Sequence, residues 1–292
     1  MDCTFLLGFA STSYHVLLMK LPSWVIQVWD SMFGRQQAPP QNPPQIQKIT
    51  QLLHYPDVWP THTTLIAQVL QSRVTHLSRV LADPPGLFLP PDNEFTNACN
   101  EVRRLIGEPI ITTLDAARIE GFAERVYSGM IVVVKESAWQ SFSNKTPWAV
   151  GTIAHELAHV EEQYRFGPHP GNSGAGKEAL LANLRKVWSE FFAEQIASPL
   201  YDQRQLGRYL LGLTELIHQR DIFEIPNHLG RIAGHASGRG KTAKEIAQIL
   251  APHGREYSRA GEELTDLLTA AMQNGQLPDF DRLHEVLKHT VL

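Results

Sequence analysis

The chain has 292 residues, of which 43% are apolar and 19% charged, with a formal charge of −4 at pH 7; it is long enough for one large domain or two modest ones and can bury a sizeable core. This balance offers no basic field of the kind that nucleic acid requires, so no nucleic-acid partner is expected. Its two cysteines, Cys3 and Cys99, are far apart and lack CxxC spacing, which gives no basis for a disulfide framework or a cysteine metal site and fits a cytoplasmic setting.

Residues 1–33 form an apolar segment with no charge between Asp2 and Lys20. It makes a poor signal peptide, because its start is acidic, and Ser11, Thr12, Ser13 and His15 interrupt the run before the roughly 20 residues that a bilayer span needs. A helix packed on the rest of the protein is expected, with membrane association through residues 3–19 the less favoured alternative. Residues 34–48 are rich in Pro and Gln and read as an extended connector. In the helical segment 49–92, Leu65, Val69, Val74, Leu77 and Val80 recur at helical spacing before Pro84 and Pro85, predicting one amphipathic helix.

From residue 93 the texture changes. "FTNACNEVRRLIG" predicts a helix closed by Gly107 and "PIITTLD" a strand. "ARIEGFAERVYSGMIVVVKES" predicts extended chain broken at Ser128-Gly129. Thr146 and Pro147 suit an N-cap and first helical position, starting a helix that runs to about Tyr164. A loop over 167–176 leads to a helix from about Lys177 to Ser198, with Leu180, Leu184, Val187, Phe191 and Ile196 as its apolar side. Residues 201–292 read as wholly helical. Within them "GHASGRGKT" fails as a phosphate loop, since His235 stands where the pattern needs Gly, and the helices around Lys241 to Leu264 read as a packing pair without a basic recognition face. The expected fold class is therefore α+β and mostly helical, a small sheet packed on one central helix with further helices at both ends.

That central helix holds His155-Glu156-Leu157-Ala158-His159. Positions i and i+4 share a helix face, so both imidazoles can point at one ion. Glu156 is turned by about 100° and is placed as a base rather than a ligand, able to take a proton from a metal-bound water and pass it to a leaving amine. Ile153, Leu157 and Val160 give the helix an apolar side. A third ligand must come from elsewhere. Glu162 and Arg165 stand where a metzincin needs Gly and His; His169 lies in a Gly/Pro loop that does not fix it; Glu178 follows the same loop. "VWSEFFAEQIAS" instead offers Glu190 and Glu194 one turn apart, so that one can reach the ion while the other holds a ligating histidine.

H-E-x-x-H followed on a second helix by E-x-x-A-(D/E) resembles the gluzincin metallopeptidases. The resemblance is nearest to the family of the heat-shock membrane protease and the CAAX prenyl endopeptidase, with its soluble minimal relatives. "IEGFAERVYSGMIVVVKES" is similar in spacing to the segment that precedes the family's active helix, and the similarity spans roughly Asn93 to Ser198, a zincin-like core of 93–200 followed by the helical region 201–292. The resemblance implies a bound Zn²⁺, with His155, His159 and Glu190 as ligands, Glu156 as the catalytic base and Glu194 as the acid behind a ligand, in the place where the family usually has Asp. It implies hydrolysis of a peptide or protein substrate. A narrow-specificity regulatory protease, or an inactive metal-binding module that recognises a peptide or protein, are the alternatives. Gly129 to Lys135, with Met130, Ile131 and Val132, is the candidate substrate edge, though its apolar density equally suits a buried central strand. His218, His228, His235 and Tyr209 are the candidates for stabilising an oxyanion.

Overall fold

A computed structural model describes residues 44–107, 110, 119–126, 129–169 and 177–290. Segment 1–33, its membrane association, the connector as far as residue 43 and, apart from Ile110, the strand expected over 109–115 lie outside the described residues. Residues from Pro44 onward belong to one compact unit. No helix among the described residues is long and apolar enough to cross a membrane. The architecture is mostly helical α+β, with one small mixed sheet.

Three strands, β1 (Gly86–Phe88), β2 (Gly121–Val126) and β3 (Gly129–Val134), lie in the order β1-β3-β2. β3 is the dense β-branched run and occupies the centre, parallel to β1 and antiparallel to β2. Met130, Ile131 and Val132 are buried, and Ile131 and Val132 are paired on both sides. This corrects the expected substrate edge: continuous apolar sequence marks a strand covered on both faces, and the edges are β1 and β2, of which β1 has its Leu87 N–H and C=O taken by Asp57 and Val58. Lys135 N–H donates to Glu120 O at 3.0 Å. Hydrogen-bonded and non-bonded pairs alternate in an antiparallel ladder, so Gly121, Ala123 and Arg125 turn their backbone groups away from β3.

Helix α1 (Pro44–Leu53) begins inside the expected connector, whose last five residues are therefore helical; a Pro start is compatible because the first helical N–H has no partner to lose. The single amphipathic helix expected before Pro84 is divided into α2 (Trp59–Val69), a 3₁₀ stretch (Gln71–Leu77) and α3 (Ser78–Ala82). The start of α3 is held from across the fold, since the N–H groups of Arg79 and Val80 donate to the carboxylate of Glu161 on a later helix at 2.9 and 3.0 Å, which caps a new helix start. α4 (Phe95–Ile106) ends on Gly107 at φ 75°, as its sequence predicts. α5 (Glu136–Ser143) follows β3.

α6 (Pro147–Phe166) carries the two histidines, and Ile153, Leu157 and Val160 are buried in the main core. Thr146 precedes it with extended backbone, but its side chain makes no cap bond. α6 packs on β2 and on α7 (Lys177–Ala197). Leu184, Val187, Phe191 and Ile196 of α7 are buried, whereas Leu180 is exposed near its start. The remaining helices are α8 (Gln205–Gln219), α9 (Glu224–Gly238), α10 (Ala243–Leu250), α11 (Arg255–Gln273) and α12 (Phe280–Leu287). α10 and α11 pack together, with Leu250 Cδ1 only 2.3 Å from where a Cβ on Gly261 would sit.

The crossing of α7 and α9 sets the geometry of the site. Cβ atoms on Gly230, Gly234 and Gly238 would lie 2.7 Å from Val187 O, 2.3 Å from Phe191 O and 2.4 Å from Gln195 O. Three glycines one turn apart thus let α9 rest on the backbone of α7. The residue after each glycine reaches across: Arg231 to Glu190, His235 to Glu194 and Arg239 to the carbonyl of Ser198.

Candidate metal centre

His155 and His159 from α6 meet Glu190 from α7, one ligand atom from each lying within 4.8 Å of the others. The two Nε2 atoms are 2.9 Å apart, and Glu190 Oε2 is 3.4 Å from His155 Nε2 and 3.8 Å from His159 Nε2. Behind the two rings lie Ser189 and Glu194. His159 Nδ1 is 2.8 Å from Ser189 Oγ, and His155 Nδ1 is 3.0 Å from Glu194 Oε1. Glu194 is fully buried and also accepts from Tyr209 O–H at 2.5 Å and His235 Nδ1–H at 2.8 Å. Arg231 donates Nε–H to Glu190 Oε2 at 2.8 Å and Nη2–H to Oε1 at 2.9 Å.

The electrostatics follow from this crowding. Burial pushes His155 down, but its hydrogen bonds and charge interactions with Glu190 and Glu194 prevail and hold it at about 10. His159, buried beside His155, is pushed down to about 3. Burial opposes ionisation of both glutamates, yet Arg231 and His155 hold Glu190 well below the carboxylate range, and His155 and His235 hold Glu194 at about 2. Burial raises Glu156, against the lowering effect of His155 and of a hydrogen bond with the backbone of Ala123. That bond agrees with the outward turn of Ala123 on the open edge of β2. The same strand touches Glu156 a second time, since a Cβ on Gly121 would lie 2.7 Å from Glu156 Cγ.

A cleft of about 520 Å³ opens beside these groups, between the start of β2, α6 and the first turns of α8. His155, Glu156, Glu194, Tyr201, Tyr209 and Arg231 are among its lining residues. Tyr201 packs on α6 where Gly151 leaves room, a Cβ there falling 2.4 Å from its ring.

The structure brings His155, Glu156, His159, Glu190 and Glu194 together as expected from the sequence. The oxyanion candidates are placed as follows. His218 is exposed and donates to Thr214 O of its own helix at 2.7 Å; His228 Nε2–H is committed to Tyr209 O at 2.7 Å; the donors of Tyr209 and His235 are both taken by Glu194. His169 pairs with Glu162 at 2.8 Å and Glu178 is exposed at the start of α7, and neither joins the cluster. Ser189, Tyr201 and Arg231 were not singled out from the sequence. The repeated Gly-basic pairs at 230–231, 234–235 and 238–239 are the one signal that could have pointed to Arg231. Comparisons with protein-family models, with curated proteins and with solved structures returned no match.

Proposed function

We propose that the protein is a zinc-dependent metallopeptidase of gluzincin type, with His155, His159 and Glu190 as ligands and Glu156 as the base. The observation that carries this reading is the convergence of two imidazoles and a carboxylate from two crossed helices on one point. Four ligands at zinc distances in a tetrahedron stand roughly 3.3 Å from one another, and the separations of 2.9, 3.4 and 3.8 Å bracket that value. Two ring nitrogens facing at 2.9 Å also need a proton or a cation to offset their lone pairs. Zinc bound there would supply a Lewis acid that polarises a peptide carbonyl and acidifies water.

The chain's own residues account for the rest. Glu156, raised by burial and steadied by the β2 backbone, takes a proton from the attacking water and returns it to the departing amine. Ser189 and Glu194 fix the ring orientation of the two ligands. Tyr201 and Arg231 line the cleft, and the Nη1 of Arg231 is not engaged by Glu190, so these two are assigned to the developing oxyanion. On the outer side of β2 the Ala123 N–H is taken by Glu156 and the Arg125 N–H by Glu124, so what this strand offers an extended peptide is chiefly its outward carbonyls.

The test is proteolysis of an unfolded protein by the zinc-loaded chain beside Glu156→Gln. Retained zinc with turnover reduced by at least about 10²-fold supports the reading. Zinc binding without cleavage by the wild-type chain would instead favour a binding module.

A further inference from the structure

We propose that Arg208 reads a carboxylate of the bound peptide, giving the cleft a preference for acidic substrates; this rests on the peptidase reading above. The argument is one of charge pairing. Arg231, the other guanidinium of the cleft, is tied to Glu190, and Glu120 on the cleft wall is paired with Lys135 at 3.3 Å. Arg208 also lines the cleft. It is exposed, and among the described residues no carboxylate pairs with it; its Nη1 donates only to Gln205 Oε1 at 3.3 Å, one turn back on α8. An arginine in this position presents several donors in a planar fork suited to two carboxylate oxygens.

The position also fits a substrate. The cleft sits at the Ile119–Gly121 end of β2, and Gly121 is the residue against Glu156. A peptide lying along the outward carbonyls of β2 therefore sends residues on one side of the reacting bond toward Phe122 to Val126 and those on the other side toward α8. Arg208 is then a specificity residue, touching a side chain or terminus of the peptide rather than the reacting atoms. The recognised carboxylate has two sources, an Asp or Glu side chain or the free C-terminus.

The experiment uses the full-length, zinc-loaded protein and decapeptides of one scaffold, with a single Glu, Gln or Lys placed at each of three positions on either side of the central bond. Each peptide is made as the C-terminal acid and as the amide. Binding is read by fluorescence anisotropy on the Glu156→Gln protein, and cleavage on the wild type. Tighter binding of one Glu peptide than its Gln counterpart, by about tenfold, identifies a side-chain carboxylate; the same ratio between acid and amide identifies the C-terminus. Arg208→Glu added to either background should abolish that ratio and turn the preference toward Lys. Equal binding of Glu and Gln peptides together with equal binding of acids and amides, no binding of any peptide, or a preference that survives Arg208→Glu would overturn the proposal. Carboxylate preference without cleavage would remove the peptidase reading and leave Arg208's role standing, whereas cleavage without preference would do the reverse.

Discussion

Arg231 and Glu190, 41 residues apart and on crossed helices, form a two-pronged pair in which both carboxylate oxygens accept from the guanidinium. The pair neutralises a carboxylate that is only 6% exposed. It also leaves Glu190 able to turn one oxygen toward a cation while the other keeps its hydrogen bond.

Arg231→Ala should therefore harm the metal-free protein more than the zinc-loaded one. Stranding the Glu190 charge costs roughly 2–3 kcal/mol, and a bound cation offsets most of that loss. Thermal unfolding with and without zinc checks it: the zinc-induced rise in Tm should be larger in the variant than in the wild type. An equal rise in both would show that Glu190 is not at the ion.

Zinc binding should release a proton from His155, because a ligating imidazole must be neutral and this one is held at about 10. Zinc affinity should thus increase up to about tenfold per pH unit between pH 6 and 9, measured by competition with a chelating dye. In metal-free protein the same groups and His159 shape stability against pH. The raised His155 contributes fully below its ordinary 6.5 and is lost as pH climbs through about 10; the depressed Glu194 contributes above its ordinary 4.5 and is lost as pH falls through about 2. His159, lowered to about 3, adds an opposite slope: below its ordinary 6.5 the unfolded chain takes up a proton that the folded chain refuses, so stability falls as pH drops, and urea unfolding across pH should show its maximum near 6.5. Affinity independent of pH would contradict the ligand role of His155.

Gly234→Ala should destabilise by about 1–3 kcal/mol, since its Cβ would fall 2.3 Å from Phe191 O. Gly207→Ala, with nothing within 4 Å of the added atom, should be neutral or stabilise by about 0.5–1 kcal/mol. Paired denaturant curves test whether the α7–α9 crossing depends on that glycine stripe, and equal midpoints would count against it.

Gly121→Ala should impair turnover without loss of zinc, because the added carbon would lie 2.7 Å from Glu156 Cγ. A drop in kcat of about tenfold or more with unchanged zinc stoichiometry is expected. Unchanged kcat would show that Glu156 does not need the β2 contact.

Legibility in the sequence follows the range of the interaction. His155, Glu156 and His159 could be read directly, because four residues make one helical turn. Glu190 and Glu194 could be narrowed to a helix by their own spacing, and their separate roles came only from resemblance. Arg231 could not be read: the surface position that makes it useful depends on Gly230 and Gly234 meeting Val187 and Phe191, a contact between segments about 40 residues apart. The β-rich run 129–134 was legible as a strand, but whether it was edge or centre depended on Gly86–Phe88, a strand too short to announce itself. Tyr201 was hidden for the same reason, as Gly151 opposite its ring looks like any helical glycine.

The most direct test of the central claim is zinc content of the purified protein, by mass spectrometry under native conditions, for the wild type beside Glu190→Ala, Glu178→Ala and Glu156→Gln. The ligand set of His155, His159 and Glu190 predicts one zinc per chain in the wild type, in Glu178→Ala and in Glu156→Gln, and its loss in Glu190→Ala. Zinc retained with undiminished affinity in Glu190→Ala, or absent from the wild type after incubation with the metal, would contradict it.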